Sequence, residues 1–141
     1  MSEKPSPTIL THGIDHVGLT VADLQQSAAF FVGCLGWRLL GERPDSPAAF
    51  VGDGHTRITL WQVSNRADFV AFDRHRNVGL HHLALKVTSL ESLHELHGRV
   101  VAWPGIIVEF APEPSGGGPK IHSMVREPGG CRVEFAWDPR T

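Results

Sequence analysis

The sequence predicts an α+β protein of paired βαβββ modules, forming an open mixed-sheet cleft with the helices outside. Three observations predict it. A strand-like alternation followed by a capped amphipathic helix occurs twice, three short strand-like runs follow each helix, and histidine falls on histidine when the two leading strands are superimposed. At 141 residues, with 41% hydrophobic and 20% charged side chains, the chain suits one compact domain, or two half-size modules sharing a core.

The elements follow in chain order. Residues 1–13, containing Pro5, Ser6 and Pro7, read as a flexible tail. The first module spans 14–63. From Ile14 to Val21 the apolar Ile14, Val17, Leu19 and Val21 are separated by His16, Gly18 and Thr20, mostly the two-residue period of a half-buried strand. Asp23 caps a helix on which Leu24, Ala28, Phe31 and Leu35 recur at helical spacing, and Gly36 ends it. Strands are expected over Trp37–Arg43, Ala48–Gly52 and Thr56–Val63, parted by Pro44, Asp45, Pro47 and the turn Asp53-Gly54. A polar connector over 64–79 separates the modules. The second module, 80–138, repeats the order: a strand at Leu80–Val87, and a helix capped by Ser89 with Leu90, Leu93, Leu96 and Val100 on one face. Strands near Ile106–Ala111, Lys120–Arg126 and Arg132–Trp137 complete it.

Charge and cysteine usage exclude several functions. A formal charge of -2, with Arg and Lys scattered along the chain, gives no basic surface for nucleic acid. No apolar run approaches the roughly 20 residues of a membrane span. Cys34 and Cys131 lie far apart, and no apolar leader precedes them, so a cytoplasmic setting is expected.

The repeat organises the chemistry. Ile14–Val21 aligns with Leu80–Val87, placing His16 on His82, and Ile58-Thr59-Leu60 aligns with Val133-Glu134-Phe135, placing Thr59 on Glu134. Pseudo-twofold repetition lets these four positions face one cleft, and three of the four carry metal-ligand side chains. Between the adjacent histidines, period two groups His82 with Ala84 and Lys86 on the more polar face, and His81 with Leu83, Leu85 and Val87 on the apolar one. His16, His82 and Glu134 are therefore the expected ligands of one divalent metal, Fe(II), Mn(II) or Zn(II), with positions left for water or substrate.

The stretches Ile-Asp-His-Val-Gly-Leu-Thr-Val-Ala-Asp-Leu at 14–24, Phe-Phe-Val-Gly-Cys-Leu-Gly-Trp at 30–37, Gly-Leu-His-His-Leu-Ala-Leu at 79–85 and Glu-Pro-Gly-Gly-Cys-Arg-Val-Glu-Phe at 127–135 resemble the vicinal oxygen chelate superfamily. That superfamily contains glyoxalase I, extradiol dioxygenases, fosfomycin-resistance transferases and bleomycin-resistance proteins. The resemblance implies one barrel-like cleft over 14–138, with metal ligands at the positions of His16, His82 and Glu134. It also implies a small substrate chelated through adjacent oxygens in dioxygenase-, lyase- or transferase-like chemistry, or drug sequestration without catalysis. Glyoxalase I usually has a fourth ligand where this chain has Thr59, and the chain contains no tyrosine, which the dioxygenases and transferases commonly use near substrate. Family members often pair or exchange modules, and an open module pair exposes strand edges, so a homodimer is expected.

His122, in the strand after the glycine-rich Ser115–Gly118 loop, is a candidate general acid or base because imidazole titrates near neutrality. Phe50, Trp61 and Met124 are candidate pocket walls. His94 and His97 on the second helix lack a third ligand.

Overall fold

The structure, a computed structural model, describes residues 4–141, so the first three residues of the expected tail lie outside it. Strand β1 (Val17–Val21) leads into helix α1 (Leu24–Ala29), where the Asp23 side chain accepts from the Gln26 N–H at 3.0 Å. The helix then widens into a π-helical turn, Phe30–Cys34, which buries the adjacent Phe30 and Phe31 together with Cys34. Strands β2 (Arg38–Arg43), β3 (Ala48–Gly52) and β4 (Arg57–Gln62) follow. After an irregular connector the pattern returns as β5 (Leu83–Lys86), α2 (Leu90–Val101), β6 (Ile107–Pro114), β7 (Ile121–Arg126) and β8 (Arg132–Trp137).

Each half makes one four-stranded mixed sheet, in the orders β1-β4-β3-β2 and β5-β8-β7-β6. The first and last strands of a half run parallel, and the other pairs are antiparallel. Each helix covers one face of its own sheet, and the buried side chains follow the two-residue period: Leu19, Val21, Ile58 and Leu60 in one sheet, Val125, Val133 and Phe135 in the other. These two covered faces share a single core with Phe30, Phe31, Leu93 and Val100. The opposite faces remain open, and no strand pairing closes the sheets into a barrel.

A buried carboxylate joins the halves. Glu127, 2% exposed in the β7–β8 turn, accepts from the Ser27 hydroxyl of α1 at 2.8 Å and from the backbone N–H groups of Gly129 and Cys131 at 2.8 and 3.1 Å. Gly129 is required by this close approach, because a Cβ there would lie 2.1 Å from the Ser27 hydroxyl oxygen. Gly33 meets the second half in the same way, with Trp103 2.7 Å from where its Cβ would stand.

Both leading strands start three residues later than the sequence predicts, at Val17 and Leu83. Their first partners are Ile58 in β4 and Val133 in β8, and each partner strand begins only one residue earlier, at Arg57 and Arg132, so the strands have nothing to pair with beyond that point. His16, His81 and His82 therefore lie just ahead of the strands, where alternation no longer fixes the direction of a side chain. Strand β6 runs on to Pro114, past the predicted end at Ala111. Among the described residues no helix is long and apolar enough to cross a membrane.

Candidate metal centre

Strand register shows how the repeat places the candidate residues. In the first sheet Val17 faces Ile58 and Gly18 faces Thr59; in the second, Leu83 faces Val133 and Ala84 faces Glu134. Thr59 and Glu134 thus occupy equivalent positions on the open faces, each one strand away from the residue that follows its histidine by two. Across the next pairing Phe50 faces Thr59, and Met124 faces Glu134.

The second open face carries a compact polar cluster. His82 Nε2 lies 3.8 Å from Glu134 Oε2, too far for a hydrogen bond but within the ~4.2 Å that two atoms each ~2.1 Å from one cation can span. The other carboxylate oxygen is engaged: His122 Nδ1 donates to Glu134 Oε1 at 2.6 Å, and Phe110 packs against the His122 ring at a centroid distance of 4.8 Å. Glu134 is 8% exposed, so its free oxygen has few directions in which to find a partner.

His16 does not join them. Its ring is 56% exposed and bonded through Nδ1 to Asp15 Oδ1 at 2.7 Å, a contact that holds the Asp15 carboxyl below the usual carboxylate range. With Asp15, Leu40, Phe50, Arg57, Ile58 and Thr59 it lines a cavity of about 300 Å³ on the first open face. Among the described residues no group of three His, Cys, Asp or Glu side chains converges tightly enough to hold a metal. The donor set thus fits a divalent cation in type, but one chain brings only His82 and Glu134 together.

An arginine cluster lies beside the polar cluster. Arg132 and Arg126 face each other across β8 and β7, an arrangement of like charges that is unfavourable alone. Glu109 relieves it, accepting from Arg132 Nε at 2.7 Å and Nη2 at 3.0 Å, and from Arg74 of the connector at 3.2 Å. The hydrogen bonds from Arg132, followed by the charges of Arg126 and Arg74, hold the Glu109 carboxyl below its usual range.

Arg132 also reaches the histidine pair. Its Nη1 donates to the His81 carbonyl oxygen at 3.0 Å and lies 3.1 Å from His81 Nδ1, which itself lies 2.8 Å from His82 Nδ1. Desolvation, then the charge of Arg132, pushes the His81 pKa down. His81 is therefore a neighbour of the site and not a member of the apolar strand face, a correction that follows from β5 starting at Leu83. Sequence reasoning also passed over Asp15, Glu109 and Arg132. The repeat alignment already pairs Asp15 with His81, and extending its second stretch by one residue would have paired Arg57 with Arg132. His94 and His97 remain on α2, where the His97 Nδ1 has no partner and burial lowers the ring pKa.

The family model of the Glyoxalase/Bleomycin resistance protein/Dioxygenase superfamily matches residues 13–135. No curated protein matches the chain. Among solved structures, a glyoxylase/bleomycin resistance protein/dioxygenase domain from Frankia sp. EAN1pec is 27% identical with a TM-score of 0.75, over 90% of this chain and 98% of that one. The lactoylglutathione lyase of Agrobacterium tumefaciens is 22% identical with a TM-score of 0.69, over 92% and 96%. The fosfomycin resistance protein FosX of Listeria monocytogenes is 19% identical with a TM-score of 0.71, over 92% and 95%. At these lower identities the last two show the fold alone. With the family model covering both halves of the repeat, the chain belongs to the Glyoxalase/Bleomycin resistance protein/Dioxygenase superfamily.

Proposed function

We propose that the protein is a metal-dependent enzyme acting on a small substrate chelated through two adjacent oxygens, and that it works as a homodimer. One observation carries the reading. His82 and Glu134 stand together on one open sheet face, while the repeat-equivalent His16 and Thr59 stand on another, so each chain holds two unequal halves of a site. Pairing two copies so that the first sheet of one faces the second sheet of the other brings His16 to His82 and Glu134. The same pairing gives both open faces a cover.

A divalent cation held there, Fe(II), Mn(II) or Zn(II), supplies Lewis-acid polarisation or, for iron, redox chemistry. The chain supplies the rest. Two imidazoles and one carboxylate, from His16, His82 and Glu134, would hold the cation, and Phe50 and Leu40 give the facing cavity an apolar wall. His122 commits Nδ1 to Glu134 and keeps Nε2 for proton transfer to or from the substrate. Cys34 and Cys131 are free thiols, in keeping with a reducing cytoplasm. The chemistry is lyase-, transferase- or dioxygenase-like. A second reading, sequestration of a drug-sized ligand without catalysis, draws on the apolar wall of the cavity and predicts no bound metal.

Mixed variants test both the metal and its sharing. His16→Ala and His82→Ala are each expected to lose stoichiometric metal. When the two are unfolded together and refolded, one intact site is expected in every mixed dimer, restoring about a quarter of the sites for random pairing. No recovery would place the whole site within one chain. Wild-type protein that retains no metal would favour sequestration.

A further inference from the structure

We propose that Asp15 and His81 are matched positioning residues, each fixing the tautomer of the histidine that follows it so that the Nε2 lone pairs of His16 and His82 are presented together. The proposal rests on the shared metal centre proposed above, and adds which atoms of this chain make it ready.

Donor and acceptor chemistry carries the argument. A carboxylate oxygen only accepts, so the 2.7 Å contact between Asp15 Oδ1 and His16 Nδ1 requires the proton on Nδ1. His16 Nε2 is then left with its lone pair. On the other sheet Arg132 Nη1 donates to the His81 carbonyl oxygen at 3.0 Å and stands 3.1 Å from His81 Nδ1, so its positive charge favours a lone pair over a proton on that nitrogen. The 2.8 Å contact between His81 Nδ1 and His82 Nδ1 holds one proton, which the guanidinium beside His81 drives onto His82, again freeing Nε2. That nitrogen is the one turned toward Glu134 Oε2. Two different residue types thus reach one result on the two sheets.

The supporting residues are themselves held. Arg132 has a side chain only 7% exposed and is clamped by both Glu109 oxygens, so its direction is fixed. Arg57 stands at the repeat-equivalent position in β4 and lines the same cavity as Asp15 and His16. Such outer contacts matter because a neutral histidine in water favours the Nε2–H form, which has no lone pair at the nitrogen a metal needs. Ligand-orienting neighbours of this kind typically change metal affinity by roughly 10–100-fold. Asp15 adds a charge that His81 lacks, making His16 the stronger donor of the pair.

The test reads the tautomers directly. Two-bond 1H–15N correlation spectra of the full-length, metal-free protein, recorded at about pH 8.5 where free imidazoles are neutral, are expected to show Nδ1–H for both His16 and His82. Asp15→Ala should convert His16 alone, and His81→Ala should convert His82 alone, while Asp15→Asn, which keeps an acceptor oxygen, should leave His16 unchanged. Asp15 and His81 are both exposed, so amide spectra are expected to show the fold intact. Zinc competition titration should show roughly 10–100-fold weaker binding in each alanine variant. Nε2–H histidines in the wild-type protein, or tautomers unmoved by the alanine changes, would overturn the proposal. Tautomers that follow the predicted pattern in a protein that binds no zinc would support the positioning roles and overturn the metal reading instead.

Discussion

Thr59 occupies the register position in the first sheet that Glu134 occupies in the second, and at 5% exposure its side chain has little freedom to turn away. A neutral hydroxyl is a weak metal ligand, so in the proposed centre Glu134 alone would bring carboxylate charge and the cation would keep room for a chelating substrate. Thr59→Glu is expected to tighten metal retention and weaken binding of a hydroxamate or catechol, with effects of opposite sign. Visible bands of the cobalt-substituted protein would report both, and unchanged chelator affinity with metal still bound would show that Thr59 does not face the cation. The equivalence of Thr59 with Glu134, and of His16 with His82, was legible in the sequence because strands repeat with fixed spacing. The supporting Asp15 and His81 were not, since a two-residue period extended beyond the end of β5 assigns His81 to the wrong side.

At the scale of elements, the β7–β8 turn is the point where the halves are locked. Glu127→Ala would leave the Ser27 hydroxyl and two backbone N–H groups without their acceptor in a buried place, at about 1–3 kcal/mol for each donor that water does not reach. Ser27→Ala removes one contact and should cost about 1 kcal/mol. Urea unfolding should therefore rank the midpoints wild type, Ser27→Ala, Glu127→Ala, and equal midpoints for the two variants would show that the turn itself does not need the carboxylate. Element order and most strand ends were readable from alternation, turn residues and the caps Asp23 and Ser89. The latch was not, because Ser27 and Glu127 are 100 residues apart and nothing local marks either as a partner. The π-helical turn was hidden for a related reason: its widening accommodates two adjacent phenylalanines in a core that both halves build.

For the whole molecule, the sequence predicted an open cleft between the modules, and repetition alone could not say whether the two open faces meet within one chain. The helix-covered sides share a single core, the sheets are not closed into a barrel, and among the described residues His16 does not converge with His82 and Glu134. Light scattering of concentrated protein is expected to give twice the 15.4 kDa chain mass. A divided ligand set also makes protein concentration a thermodynamic variable. If cation and second chain bind together, mass action couples them, and dilution acts as a chelator does. Competition against a fixed metal buffer, run at protein concentrations a hundredfold apart, should return a weaker apparent metal affinity for the dilute sample; identical affinities over a range in which the dimer dissociates would mean that each chain grips its metal alone. A cell holding such a protein at low copy number would then find it metal-free at the same free metal level that saturates it when abundant, so that expression level itself would set the fraction of working sites.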